Sequence, residues 1–147
     1  MKKKVKLSIC IPTYNRPTHL ENCLEAIYIS KKNCKGLNFE VCVSDNGSKH
    51  DIKSIIKKYK NKINIKFNRF SRNFGITRNF LKAVSMASGE FVWTIGNDDL
   101  ILPKSLKIIE KLLNRYRDVD YFFINAFILN KSFLDNFTHP FSTYQIP

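Results

Sequence analysis

Asp98 and Asp99 stand side by side in "WTIGNDDLILP", in a chain with 12 acidic residues against 25 Lys and Arg. Adjacent like charges repel, and either a solvent-exposed turn or a cation relieves them. The pair is therefore either an acidic cap before a helix opened by Pro103 or a set of hard oxygen donors. Donors of that kind suit Mg²⁺ or Mn²⁺ held together with a substrate diphosphate. Two other clusters have similar character. "PTYNRP" carries Tyr14, a ring for stacking, and Arg16, a cation for phosphate. "SDNGS" carries Asp45, which is either a turn aspartate or a carboxylate that accepts hydrogen bonds from a base or ribose. Arg72, Arg78 and Lys82 in "SRNFGITRNFLKA" add cations for phosphate.

The elements that must position these clusters follow from periodicity. Five extended segments, "KLSICIP", "FEVCVSD", "INIKFN", "EFVWTIG" and "VDYFFINAFIL", are rich in β-branched and aromatic residues. Between them, apolar residues recur at helical spacing in four stretches. These are Leu20 to Ile27 behind Pro17, Ile52 to Tyr59, Phe80 to Ala87, and Leu106 to Tyr116 behind Pro103. Ser48 and Asp51 have the spacing of a capping box before the second helix. This alternation predicts an α/β fold: a mainly parallel, Rossmann-like sheet with helices on both faces. In such a sheet ligands bind outside the carboxyl ends of the strands. "PTYNRP", "SDNGS" and "GNDD" follow the first, second and fourth strands, so all three fall at that end.

Composition narrows the rest. At 147 residues the chain fits one domain with a substantial core. The net charge of +13 favours phosphate-bearing partners, and Ile52 to Gly89 holds ten basic residues and no acid. Cys10, Cys23, Cys34 and Cys42 lack C-x-x-C spacing, so buried free thiols in a reducing cytoplasm are expected. The start "MKKKVKLSICIP" resembles a signal peptide, but its apolar run meets Pro12 too soon, and "YFFINAFIL" is about half a membrane span. His19, His50 and His139 have no spacing for a metal site or a triad. Neither G-x-G-x-x-G nor G-x-x-x-x-G-K-[ST] is present, so phosphate must be held by metal and basic side chains. A nucleic-acid binder using Lys53 to Lys82 has the charge but no RNP-like or helix-turn-helix signature, and no nucleic-acid partner is expected.

Together, "LSICIPTYNRPTHLENCLEAI", "FEVCVSDNGS" and "RNFGITRNFLKAVSMASGEFVWTIGNDDLILP" resemble the N-terminal, nucleotide-binding half of inverting family 2 glycosyltransferases with the GT-A fold. The "GNDD" form looks most like the abequosyltransferase-like branch. The resemblance runs from about Lys6 to Tyr116 and implies a nucleotide-sugar donor, a UDP-sugar, and a surface-glycan or lipid-linked acceptor. By the same resemblance Pro12, Thr13 and Tyr14 line the nucleotide pocket with Arg16 nearby, Asp45 meets the base, and Arg72 to Arg78 border the nucleotide. Asp98 is then the metal-binding aspartate for Mn²⁺ or Mg²⁺, with Asp99 beside it. The family often reads D-x-D-D here, whereas this chain has Asn97 in the sequence Gly96-Asn97-Asp98-Asp99. Asn97 supplies a hydrogen bond in place of the early acid but no charge.

Residues 1–129 are expected to form the nucleotide-sugar-binding domain, and 130–147 a tail or the start of an acceptor-binding half. By the same resemblance the catalytic base belongs to the family's later half; Asp135 and His139 lie in the tail, and no residue of this chain is assigned that role. The chain alone is expected to bind nucleotide and metal with weak or no transfer. The alternative is a non-catalytic GT-A-like partner or relic module. The basic face is expected to rest peripherally on an anionic membrane.

Overall fold

The structure, a computed structural model, describes residues 4–126. Four strands, β1 (Leu7–Thr13), β2 (Phe39–Asp45), β3 (Ile65–Arg69) and β4 (Phe91–Thr94), alternate with α1 (Pro17–Lys32), α2 (Ile52–Lys60), α3 (Ile76–Ser85) and α4 (Ser105–Arg115). All pairings are parallel, in the order β3-β2-β1-β4. The expected α/β fold with helices on both faces is the one observed.

Strand periodicity explains the two layers. Leu7, Ile9 and Ile11 of β1 and Phe39, Val41 and Val43 of β2 point to one face, where they pack with Leu20, Leu24 and Ile27 of α1, Ile56 of α2 and Leu106 of α4. On the opposite face Cys10 and Cys42 pack against Ala83 of α3. Because both faces are covered, β1 and β2 are buried almost throughout and read as near-continuous apolar runs. All four cysteines are buried free thiols, as expected.

Helix starts are set by different devices. Pro17 occupies the first turn of α1, where its missing N–H is no loss. For α2 the expected Ser48–Asp51 box does not form. Asp51 itself is the N-cap, accepting from Ser54 N at 3.2 Å, and Ser48 is drawn away to Asp45. The fourth helix begins at Ser105, two residues after Pro103, and Ser30 Oγ of α1 accepts Leu106 N at 3.0 Å, capping one helix from another.

The expected fifth strand over 119–129 is not found in its described part. Residues 119–126 carry no strand. Phe122 packs edge-on against Phe91 with ring centroids 6.0 Å apart, while Tyr121 and Phe123 are 77% and 81% exposed. Without a strand pairing there among the described residues, apolar alternation has no ladder to join. Residues 127–129 and the predicted tail at 130–147 lie outside the described residues.

One buried group was invisible to the sequence. Glu40 is fully buried on the α3 face, where Oε1 accepts from Ser8 Oγ at 2.8 Å, Ser88 N at 2.7 Å and Ser88 Oγ at 2.9 Å. Lys66 Nζ lies 2.9 Å from Oε2. The cluster ties β1, β2, β3 and the α3–β4 loop together.

Candidate active site at the carboxyl edge of the sheet

Thr13, the last residue of β1, is the hub. Its carbonyl accepts Asn46 N from the β2–α2 loop at 2.9 Å and Asn79 Nδ2 from α3 at 3.1 Å. Its hydroxyl accepts Asn97 Nδ2 from the β4 loop at 2.9 Å. One buried residue thus joins three segments, because β1 is central and its end is surrounded by neighbouring loops. Asn97, one of the expected nucleotide-site residues, is buried here and donates its amide nitrogen to Thr13.

Beyond Thr13 the chain turns outward. Asn15 takes φ 53°, a left-handed conformation that asparagine tolerates better than most residues. Its N–H donates to Ser48 Oγ at 2.8 Å and its Oδ1 accepts Lys49 N at 2.8 Å, clamping the β1 loop to the β2 loop. Tyr14 is left 39% exposed at the surface of the cluster. Pro12 precedes the hub in β1, opposite Ser44.

Asp45 ends β2 and is fully buried. Oδ1 accepts the Ser48 hydroxyl and, at 3.0 Å, Ser48 N. Oδ2 receives no hydrogen bond and has Arg69 Nε at 3.4 Å, which balances its charge. The carboxylate is therefore buried and held in one orientation between Ser48 and Arg69.

The β3–α3 loop and the first turn of α3 carry the basic groups. Arg72 and Arg78 place their guanidinium carbons 5.0 Å and 5.8 Å from the Phe74 ring centroid. Asn46 holds this loop through Asn73 Oδ1 at 2.8 Å, Gly75 O at 3.1 Å and Phe74 N at 2.9 Å. Gly47 sits where the two loops touch: its φ is +74°, and a Cβ there would lie 2.7 Å from the Arg72 backbone. Gly47→Ala is expected to lower stability by at least about 2 kcal/mol through left-handed strain and collision, read as a lower urea midpoint. An unchanged midpoint would show that the loop moves freely.

The acid turn comes last. Asp98 Oδ2 accepts from Arg16 Nη1 at 2.7 Å, bridging the β1 and β4 loops. Asp99 instead folds back, and its Oδ2 accepts Gly96 N at 2.6 Å. Beneath the turn, the Cys23 thiol lies 3.8 Å from the Gly96 carbonyl it donates to. Burial, and then the Asp99 and Asp98 charges, push that thiol up to about 12, so it stays protonated as a donor.

The structure thus brings Thr13 to Asn97 and Arg16 to Asp98, while Asp45, Arg72 and Arg78 join through Ser48, Asn46 and Gly47. Asn46, Ser48, Arg69, Asn73 and Asn79 were missed by sequence reasoning. Only the clustering of Asn, Ser and Gly after strands hinted at them. A cavity of about 640 Å³ lies elsewhere, among Lys6, Asn38, Glu110 and Arg117, at the amino ends of the strands. Among the described residues no three His, Cys, Asp or Glu form a metal cage.

With this geometry in hand, comparisons with known proteins place the chain. The model of a family described as Glycosyl transferase family 2 matches residues 8–141. Abequosyltransferase RfbV of Salmonella typhimurium (strain LT2) is 39% identical over 115 residues, which cover 77% of this chain and 34% of that protein. Poly(ribitol-phosphate) beta-N-acetylglucosaminyltransferase TarS of Staphylococcus aureus (strain Mu50) is 34% identical over 106 residues, 70% of this chain and 18% of that protein. This chain therefore spans about a third of the first relative and less of the second. The crystal structure of TarS 1–349 in complex with UDP superposes with TM-score 0.70 at 29% identity, covering 76% of this chain and 33% of that one. A mannosyltransferase from Pyrobaculum calidifontis in complex with GDP-Man and Mn²⁺ shares the fold at TM-score 0.62 and 21% identity, covering 76% and 33%. The fold is GT-A, and the chain belongs to glycosyl transferase family 2.

Proposed function

We propose that this chain is the donor-binding part of a glycosyltransferase. It binds a nucleoside-diphosphate sugar, a UDP-sugar, with a divalent ion, and the enzyme transfers the sugar with inversion to a surface-glycan or lipid-linked acceptor. The observation that supports this best is the junction of the β1 and β4 loops at Thr13–Asn97 and Arg16–Asp98, in a family 2 chain whose UDP-bound relative shares the fold.

The residues divide the work by chemistry. Tyr14 offers an exposed ring to a base, and Asp45, buried beside Arg69, would orient the Ser48 loop that borders the base. Arg72 and Arg78 present guanidinium groups that fit phosphate oxygens. Pro12 and Thr13 end β1 at the same edge of the sheet, with Asn97 tied to the Thr13 hydroxyl. The acids fit Mn²⁺ or Mg²⁺: Asp98 is half exposed with hard oxygen donors, and Asp99 stands next to it. When bound, such an ion neutralises charge on the departing diphosphate. Proton removal from the acceptor hydroxyl falls to a base in the later half of the enzyme, so this chain alone binds donor and transfers poorly.

No described helix is long and apolar enough to cross a membrane. Lys53, Lys57 and Lys60 are exposed on α2, and none has a carboxylate within 4.0 Å among the described residues. That face would meet the anionic cytoplasmic leaflet peripherally, at about 1 kcal/mol per cation.

Titration calorimetry of the chain with UDP in Mn²⁺ tests the reading. Saturable binding that chelation with EDTA weakens at least tenfold is expected. Absence of UDP binding with and without Mn²⁺ would overturn it.

A further inference from the structure

Arg16 stands where β1 gives way to α1, and its Nη1 lies 2.7 Å from Asp98 Oδ2 across the two loops. It occupies the N-cap position of α1, yet its side chain makes no cap hydrogen bond. Asp98 is the one polar partner of that guanidinium among the described residues. Side-chain exposures of 54% and 51% leave water competing for both groups, so the pair forms and parts easily. The contact neither starts the helix nor fills a core. Its effect is to place a positive charge on the carboxylate best suited to a divalent ion.

We propose that Arg16 is an internal counter-cation for Asp98. It shields the carboxylate before nucleotide arrives and yields it when diphosphate oxygens draw the guanidinium away, so divalent-ion binding depends on nucleotide. This rests on the reading of Asp98 as the ion-binding acid. The physical reason is charge balance: Arg16 and a divalent ion repel each other at one carboxylate, and a diphosphate supplies negative charge for both. A planar guanidinium suits phosphate oxygens bidentately, which gives Arg16 a better partner than one oxygen of Asp98. Coupling of this kind is reciprocal, so nucleotide raises ion affinity by the same factor that the ion raises nucleotide affinity.

The test is Mn²⁺ titration followed by the electron paramagnetic resonance signal of free ion, with and without UDP, on wild type, Arg16→Gln and Arg16→Lys. Without UDP, Arg16→Gln is expected to take Mn²⁺ about two- to fivefold more tightly than wild type, the range of an exposed ion pair. Its further gain on adding UDP shrinks, and Arg16→Lys, which keeps the charge, stays nearer wild type. Since the side chain caps nothing, thermal melts of the variants should match wild type. Equal Mn²⁺ affinity of wild type and Arg16→Gln without UDP, with UDP-dependent uptake intact in wild type, overturns the counter-cation role and leaves the ion site standing. Failure of wild type to take up Mn²⁺ in UDP overturns the ion reading and this proposal with it.

Discussion

Asp98→Ala is expected to abolish the Mn²⁺-dependent part of UDP binding, while Asp99→Asn retains it within about tenfold. The two acids are adjacent in sequence but unequal in structure. Asp98 is half exposed and engaged only through Oδ2, by an arginine that water can replace. Asp99 commits Oδ2 to Gly96 N at 2.6 Å, a turn bond that an asparagine side-chain oxygen can also accept. Changing a group that merely orients a metal ligand costs about 10–100-fold in affinity, so loss of the ligand itself should reach or exceed the upper figure. Calorimetry with UDP and Mn²⁺ on both variants reads the difference. Equal binding by Asp98→Ala and wild type would remove the metal role from Asp98, and a larger loss in Asp99→Asn would reverse the assignment. Asp98→Ala also frees Arg16, so its effect on UDP without metal should be small or favourable.

The contrast between the two acids shows how far sequence reading reaches. Periodicity located the central strands because β1 and β2 are buried on both faces, leaving long apolar runs with sharp polar ends. Those ends marked Tyr14, Arg16, Asp45, Asp98 and Asp99, and the family resemblance added Pro12, Thr13 and Asn97. Periodicity failed where backbone pairing, not the residue type, decides: Tyr121 and Phe123 flank Phe122, which packs on Phe91 of β4, yet the segment pairs with no strand among the described residues. It also missed polar residues with two possible partners. Ser48 has cap spacing to Asp51 but bonds to Asp45 and Asn15, and only the neighbouring loop makes that choice. Asn46 and Asn79 are ordinary loop and helix residues until the fold brings both to the Thr13 carbonyl. Glu40 is the extreme case, a charge inside an apolar-looking strand whose partner Lys66 lies on another strand.

Removing that partner should produce the largest loss of stability. Lys66→Met leaves a buried carboxylate without its cation, a change that costs about 3–5 kcal/mol when both groups are buried. Lys66 is 40% exposed, so water takes over part of its role and a loss of about 2–3 kcal/mol is expected, measured by urea unfolding. Burial alone would raise the Glu40 carboxyl, but Lys66, Ser88 and Ser8 together outweigh it and hold the group below its ordinary 4.5. A carboxyl depressed on folding contributes stability that is fully present above the unfolded value and drains away as pH falls through the folded one. Wild type should therefore lose stability on acidification below about 4.5, and Glu40→Gln should lose less there, because it has no proton to take up. In Lys66→Met the carboxyl loses the largest of the contributions that lower it, so the acid-dependent loss should shrink. Glu40→Gln combined with Lys66→Met should then cost less than the sum of the single changes, since the second removes a cation whose anion has already gone. Strict additivity would mean that Glu40 and Lys66 act independently and that the serines alone hold the carboxylate.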